Sequence, residues 1–154
     1  MEHPKRVGDR STLAIMLALQ ESGYAVYIPF GENTRADLII ERESQLASVQ
    51  CKTGRLRGGT VTFKVCSSYA HHPHPRVAKR DYAGEVDYFA VYCTETGRVY
   101  LIPIGDLPLG WQAHLRVDPP RNNQRKRIRL ANTYELGVVE LSVTAAPGAS
   151  AGAG

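Results

Sequence analysis

The stretch Asp37-Leu38-Ile39-Ile40-Glu41-Arg42-Glu43-Ser44-Gln45-Leu46-Ala47-Ser48-Val49-Gln50-Cys51-Lys52-Thr53 decides how this chain is read. An apolar run, a polar interruption and a second apolar run make a strand, a turn and a strand. Centring the turn between Glu43 and Ser44 pairs Ile40 with Ala47, and the same register carries Asp37 to a position opposite Gln50. Residues directly opposite in an antiparallel pair have Cβ atoms about 5 Å apart. Side chains alternate along a strand, so Gln50 and Lys52 share one face while Val49 and Cys51 take the other. One carboxylate, one amide oxygen and one ammonium are thereby expected to converge.

That set suits phosphodiester hydrolysis. A hard cation such as Mg2+ or Mn2+ takes oxygen ligands, which Asp37, the Gln50 side-chain carbonyl and the Cys51 backbone carbonyl supply. Lys52 then orients the nucleophile or neutralises the charge that develops on the phosphate. The same residues also fit a strand edge with scattered polar side chains, and spacing alone does not separate the two readings.

The run from Asp37 to Ile40 and on through Val49-Gln50-Cys51-Lys52-Thr53 resembles the PD-(D/E)XK nuclease superfamily, in a variant where Gln replaces the second acid. Within it, the chain is similar to the restriction-fold homing endonucleases of group I introns and their bacterial relatives. The resemblance takes in Gly23-Tyr24, Ile28-Pro29-Phe30-Gly31, Tyr82, Val86-Asp87-Tyr88-Phe89, Val99-Tyr100-Leu101-Ile102-Pro103 and Asn122-Asn123-Gln124, and so covers most of residues 8–136. It implies an α+β fold with a restriction-endonuclease-like core, a mixed β-sheet flanked by helices. It also implies a metal-dependent DNA endonuclease with Asp37, Gln50 and Lys52 as catalytic residues and Asp37, Gln50 and Cys51 around the metal. Family members commonly carry a Glu four residues after a Gly on the first helix; after Gly8 this chain has Thr12. A site with one carboxylate binds magnesium weakly until a nucleic-acid phosphate joins it. Glu32 and Glu21 are the acids placed to substitute. A catalytically degenerate DNA-binding module on the same fold, a junction-resolving or repair nuclease, and a structural interaction domain remain as alternatives.

At 154 residues and 43% hydrophobic content the chain has enough apolar material for one sizeable core. One nuclease-like domain over residues 1–144 is expected, followed by a disordered tail at 145–154 made almost wholly of Ala, Gly, Pro and Ser. The net charge of +4 favours an anionic partner, and its distribution says more. Between residues 52 and 80 stand Lys52, Arg55, Arg57, Lys64, Arg76, Lys79 and Arg80, with no acid among them. A second block, Arg121, Arg125, Lys126, Arg127 and Arg129, brackets Asn122, Asn123 and Gln124. Such blocks read either as solvated basic faces or as phosphate contacts on double-stranded DNA beside amides that reach base edges. Cutting both strands in one encounter needs two sites, so a homodimer or homotetramer is expected. The segment 99–104 and Leu107, Leu109 and Trp111 are interface or core material.

Cys51, Cys66 and Cys93 have no short paired spacing, and Cys51 and Cys93, in apolar strands, read as buried thiols, so a reducing compartment is expected. The first residues lack the apolar core of a signal peptide, and no apolar run is long enough to span a membrane. A cytoplasmic protein is expected, or a plastidial or nuclear one where the source has such compartments. His71-His72-Pro73-His74 lacks the four ligands a zinc site needs and reads as a loop that touches phosphate or solvent.

The elements are expected in the order helix, strand, hairpin, further strands. The helix is capped by Asp9 or Ser11, faces its core with Leu13, Met16, Leu17 and Gln20, and ends at Gly23. Strands are expected at 24–30, 37–41, 46–53, 60–65, 87–93, 99–104, 128–130 and 138–143, with turns at Gly58-Gly59 and Glu95-Thr96-Gly97. Trp111, Tyr88, Tyr92 and Tyr100 read as core or interface packing more than as platforms for bases.

Overall fold

The computed structural model describes residues 2–31, 34–65, 86–107, 110–118 and 128–138. Several sequence expectations lie outside them: the tail, Glu32, Cys66, the histidines at 71–74, Arg76, Lys79, Arg80, Tyr82, Leu109, and the segment from Arg121 through Arg127 with its three amides. Among the described residues are one α-helix, α1 (Pro4–Glu21), and eight strands joined in one mixed sheet. The strands are β1 (Ala25–Tyr27), β2 (Leu38–Arg42), β3 (Gln45–Arg57), β4 (Thr60–Lys64), β5 (Tyr88–Cys93), β6 (Arg98–Pro103), β7 (Gln112–Arg116) and β8 (Glu135–Val138). No described helix is long and apolar enough to cross a membrane.

The β2–β3 hairpin has the register its sequence dictates, with Ile40 opposite Ala47 and Leu38 opposite Val49. Its turn residues, Glu43 and Ser44, both have positive φ, at 52° and 63°. Two left-handed residues in a two-residue loop match the twist of the flanking strands, at a steric cost that Asn-Gly would avoid.

Strand β3 is the axis of the molecule, 13 residues long. Its first part pairs antiparallel with β2, its middle parallel with β5 from Val49–Tyr88 to Gly54–Cys93, and its last part antiparallel with β4. Alternating backbone groups show which edge each partner uses, because neighbouring residues of a strand point their N–H and C=O to opposite sides. Val49 accepts from the Asp37 amide at 2.9 Å, so odd-numbered residues face β2. The Ser48 carbonyl accepts from the Asp87 amide at 3.0 Å, so even-numbered residues face β5. A two-residue turn at Gly58-Gly59 makes Arg57 and Thr60 a hydrogen-bonded pair, which places β4 on the edge that β2 uses. Strands β2 and β4 therefore share one edge of β3 and part from each other along residues 50–54.

Two apolar clusters cover the two faces. On one, Ala14, Ile15, Ala18 and Leu19 of α1 pack with Leu38, Ile40, Val49, Ala90, Tyr92 and Val99. On the other, Val61, Phe63, Phe89, Val91, Ile102 and Leu115 are buried together. Fully burying Ile15 or Leu19 stabilises by roughly 1.5–3 kcal/mol each. The helix is pinned at its middle, where the Ser11 and Thr53 hydroxyls lie 2.6 Å apart.

The helix corrects two expectations. It begins at Pro4 with the His3 side chain accepting from the Lys5 amide, ahead of Asp9 and Ser11, because Pro at the first position costs no helical hydrogen bond. Leu13 and Leu17 are 62% and 38% exposed, whereas Ala14 and Ala18 face the sheet with Ile15 and Leu19. Small side chains let the helix approach the strands closely, and that geometry outweighs the greater hydrophobicity of leucine. Strand β1 is shorter than 24–30, residues 128–130 make only an isolated bridge from Leu130 to Arg116, and β8 begins at Glu135, before the expected 138. Strand β7 was not expected at all. The segment 98–103 is interior, with Val99, Tyr100 and Ile102 buried, so it is core and not interface; Trp111 is 46% exposed.

Candidate active site

The gap between β2 and β4 is where Asp37 sits. It lies one residue before β2, where the Leu38–Val49 register is not continued: its amide donates to the Val49 carbonyl at 2.9 Å, so it stands beside Val49 and not at the position opposite Gln50 that the sequence spacing predicts. Its carboxylate bends across to the part of the β3 edge that no described strand pairs, where Oδ2 accepts a hydrogen bond from the Cys51 amide at 2.8 Å. Because N–H and C=O of one strand residue point to the same edge, the Cys51 carbonyl opens onto the same gap.

Lys52 and Gln50 occupy the face away from α1. The Lys52 ammonium stands 5.5 Å from the centre of the Phe89 ring, over the second apolar cluster. Cys51 turns to the helix side, half-buried, where its thiol meets the Thr12 hydroxyl. Thr12 also donates to the Gly8 carbonyl at 3.0 Å. The helix position where relatives commonly carry a Glu is thus in contact with the middle residue of the Gln-x-Lys segment.

The electrostatics follow from this placement. Desolvation raises the Asp37 carboxyl above its ordinary value, against the Cys51 amide and the Lys52 charge, which both pull it down. The carboxylate thus sits where water solvates it poorly, although the residue as a whole is exposed. The Cys51 thiol is pushed up to about 12 by burial and by the Asp37 charge, with the Thr12 hydrogen bond and Lys52 opposing. A thiol held that high is no nucleophile at neutral pH.

A divalent cation fits this donor set in kind. The Asp37 carboxylate and the Cys51 carbonyl share one gap, the Gln50 amide stands on the adjoining residue of β3, and all three offer oxygen. Among the described residues no group of three His, Cys, Asp or Glu side chains gathers to hold a metal. A cation here would rest on one carboxylate and neutral oxygens. Asp87, an acid next to β3, is committed elsewhere: its Oδ2 accepts from the Ser48 amide at 2.8 Å and hydroxyl at 3.2 Å, pinning β5 to β3.

Of the expected nucleic-acid contacts, Arg55, Arg57 and Lys64 are exposed and lie on strands that flank the gap. Lys52, Arg55 and Lys64 line one open groove of about 490 Å3, together with Gln112 and His114. The last two had not been singled out. The alternation Gln112-Ala113-His114-Leu115-Arg116 was the available signal, obscured by the apolar residues just before it.

The sequence matches the family described as PD-(D/E)XK endonuclease over residues 2–137. The fold is similar to the structure of a bacterial homing endonuclease, I-Ssp6803I, with a TM-score of 0.65 at 21% sequence identity, over 87% of this chain and 89% of that one. No match was found among curated proteins.

Proposed function

Because the chain belongs to the PD-(D/E)XK endonuclease family, we propose that it hydrolyses phosphodiester bonds in double-stranded DNA with the help of Mg2+ or Mn2+, at a site made of Asp37, Gln50, Cys51 and Lys52. The observation that carries the reading is the Asp37 carboxylate drawn across to the Cys51 amide on the one stretch of that β3 edge lying between two partner strands. Asp37, the Gln50 amide oxygen and the Cys51 carbonyl would hold the cation, which when bound would supply Lewis-acid activation of the phosphate and of a water. The Cys51 amide orients Asp37 and leaves the other carboxylate oxygen to a ligand. Phe89 holds the Lys52 ammonium at the rim of the gap, placed to offset the charge that develops on the phosphoryl oxygens. Water oxygen bonds to phosphorus and gives up a proton to solvent, the bond from phosphorus to the leaving sugar oxygen breaks, and that oxygen takes a proton from solvent.

The test is cleavage of supercoiled, branched and linear DNA with magnesium or manganese, by the parent and by Asp37→Ala and Lys52→Ala. Loss of Lys52 is expected to slow cleavage about 10²- to 10³-fold if it acts as a preorganised charge. Undiminished cutting by either folded variant would sink the assignment. A second reading, a DNA-binding module without turnover, is favoured by the single carboxylate and by Thr12. It predicts magnesium-independent binding and no cutting by the parent. Double-strand cleavage in one encounter would require the expected homodimer or homotetramer, and light scattering of a monomer both free and on DNA contradicts that part.

A further inference from the structure

The end of β3, with β4 and β7, forms a three-stranded antiparallel sheet that stands apart from α1. Its inner side chains, Val61, Phe63, Ala113 and Leu115, are buried, with Leu56 packed against them. The opposite side chains form cross-strand rows. Arg57, Thr60 and Arg116 make one row, Arg55, Thr62 and His114 the next, and Lys64 with Gln112 a third. Every residue of these rows is basic or neutral and polar, and none is acidic. The acids beside the rows stand at their margins, Glu95 near Arg55 and Asp118 against Gly59, and not within them.

We infer that this outer face is a platform on which duplex DNA is read, with arginines of the outer strands on backbone phosphates and Gln112 and His114 on base edges. The polymer's identity as DNA rests on the nuclease reading above; the platform itself rests on the sheet. Neighbouring strands lie about 4.8 Å apart, so β3 and β7 are separated by about 10 Å. The major groove is about 12 Å wide. Arginines from the two outer strands therefore span to opposite rims of the groove, while the short Thr60 and Thr62 of the central strand let bases come near. Thr62 has a second part. Its hydroxyl lies 3.0 Å from His114 Nδ1, which fixes the ring and turns Nε2 to the partner. The Gln112 amide offers the paired donor and acceptor that an adenine edge accepts.

The platform also has a fixed reach from the chemistry. Arg57 lies five residues beyond Lys52 on one strand, about 17 Å at 3.3 Å per residue. Strands that follow the groove advance less than this along the duplex axis, so at 3.4 Å per base step sequence preference is expected within at most about five base pairs of the cut. The groove that includes Lys52 runs over the β3 edge onto this sheet, giving the duplex a continuous path.

Two measurements test it, both in EDTA so that no strand is cut. The first is fluorescence anisotropy of a mixed-sequence duplex across a salt series. Arg57→Ala with Arg116→Ala is expected to reduce the slope of log affinity against log salt by about 1.8, from 0.9 per phosphate contact. The second is selection from a randomised duplex pool, where Gln112→Ala and His114→Ala are expected to flatten preferences that the parent enriches. Circular dichroism confirms that each variant is folded. A double variant that keeps the parent slope, a parent that enriches no sequence, or tighter binding of duplex RNA than of DNA would overturn the inference. Plasmid cleavage with magnesium is scored separately. A parent that cuts while its double variant keeps the slope leaves the nuclease standing without this platform; the slope change without cutting leaves the platform standing without the nuclease.

Discussion

Gly54 is the residue at which β3 passes from β5 to β4, and it has no room for a side chain. A Cβ built there would lie 2.7 Å from Val61 Cγ1 and 2.9 Å from Val91 Cγ1. Ordinary contact begins near 3.4 Å, so the two methyl groups must retreat by 0.7 and 0.5 Å, from 3.4 − 2.7 and 3.4 − 2.9. Both valines are fully buried and packed, so neither can swing into solvent. Overpacking of this kind costs about 1–3 kcal/mol. For a domain of this size that is a fall in Tm of about 2–12 °C, at 2–4 °C per kcal/mol. The damage is also functional, because β4 carries Lys64 and Thr62 and its displacement would widen the groove next to Lys52. Gly54→Ala is therefore expected to melt earlier and to cut more slowly. Combining it with Val61→Ala makes space for the new methyl, and the pair should be less destabilised than the sum of the single changes by about 0.5–3 kcal/mol. Thermal denaturation of the four proteins measures this. An unchanged Tm in Gly54→Ala, or strict additivity of the pair with Val61→Ala, would refute the close packing on which the prediction depends.

Three further outcomes are expected. Replacing Glu43-Ser44 by Asn-Gly removes two strained left-handed residues, and a rise in stability of about 1–2 kcal/mol should appear in urea melts; no gain would mean the turn is not of this type. Glu95 feels a desolvation that raises its carboxyl, but hydrogen bonds from its own amide, the Cys93 thiol and the Leu56 amide, with the charge of Arg55, outweigh it and hold the carboxyl below its ordinary value. A lowered carboxyl contributes stability above the unfolded value and loses it as pH falls through the folded one, so Glu95→Gln should be less stable than the parent at pH 7 and match it in strong acid; a difference that grows toward low pH contradicts the sign. Thr12→Glu would place a carboxylate beside the Cys51 thiol: without metal the domain should melt earlier, and with magnesium it should regain about 2.7 kcal/mol at a hundred-fold excess over Kd. A loss that magnesium does not recover would show that position 12 does not reach the cation.

What the sequence determined by itself was local and periodic. Polar residues between two apolar runs set the β2–β3 turn, and the period of two then carried the register to Leu38 opposite Val49 and put Lys52 on the face away from Cys51, because a slip of one residue would have turned every buried side chain outward; at Asp37 the expected pairing with Gln50 gives way, its amide bonding the Val49 carbonyl. The helix was legible as a helix, and its buried face was not: choosing Ala14 and Ala18 over Leu13 and Leu17 depends on how near the sheet lies, which Ser11 and Thr53 decide across 42 residues of chain. Strand β7 was hidden because its alternation has meaning only beside β4, to which it contributes one more hydrogen-bonded edge. The candidate site divides in the same way. Its residue types stand in a row in the chain, but the gap that exposes the Cys51 edge to Asp37 exists only because β2 and β4 take the same side of β3 and part there. Edge choice is settled by long-range backbone pairing, and no periodicity along a single strand encodes which neighbour it will meet.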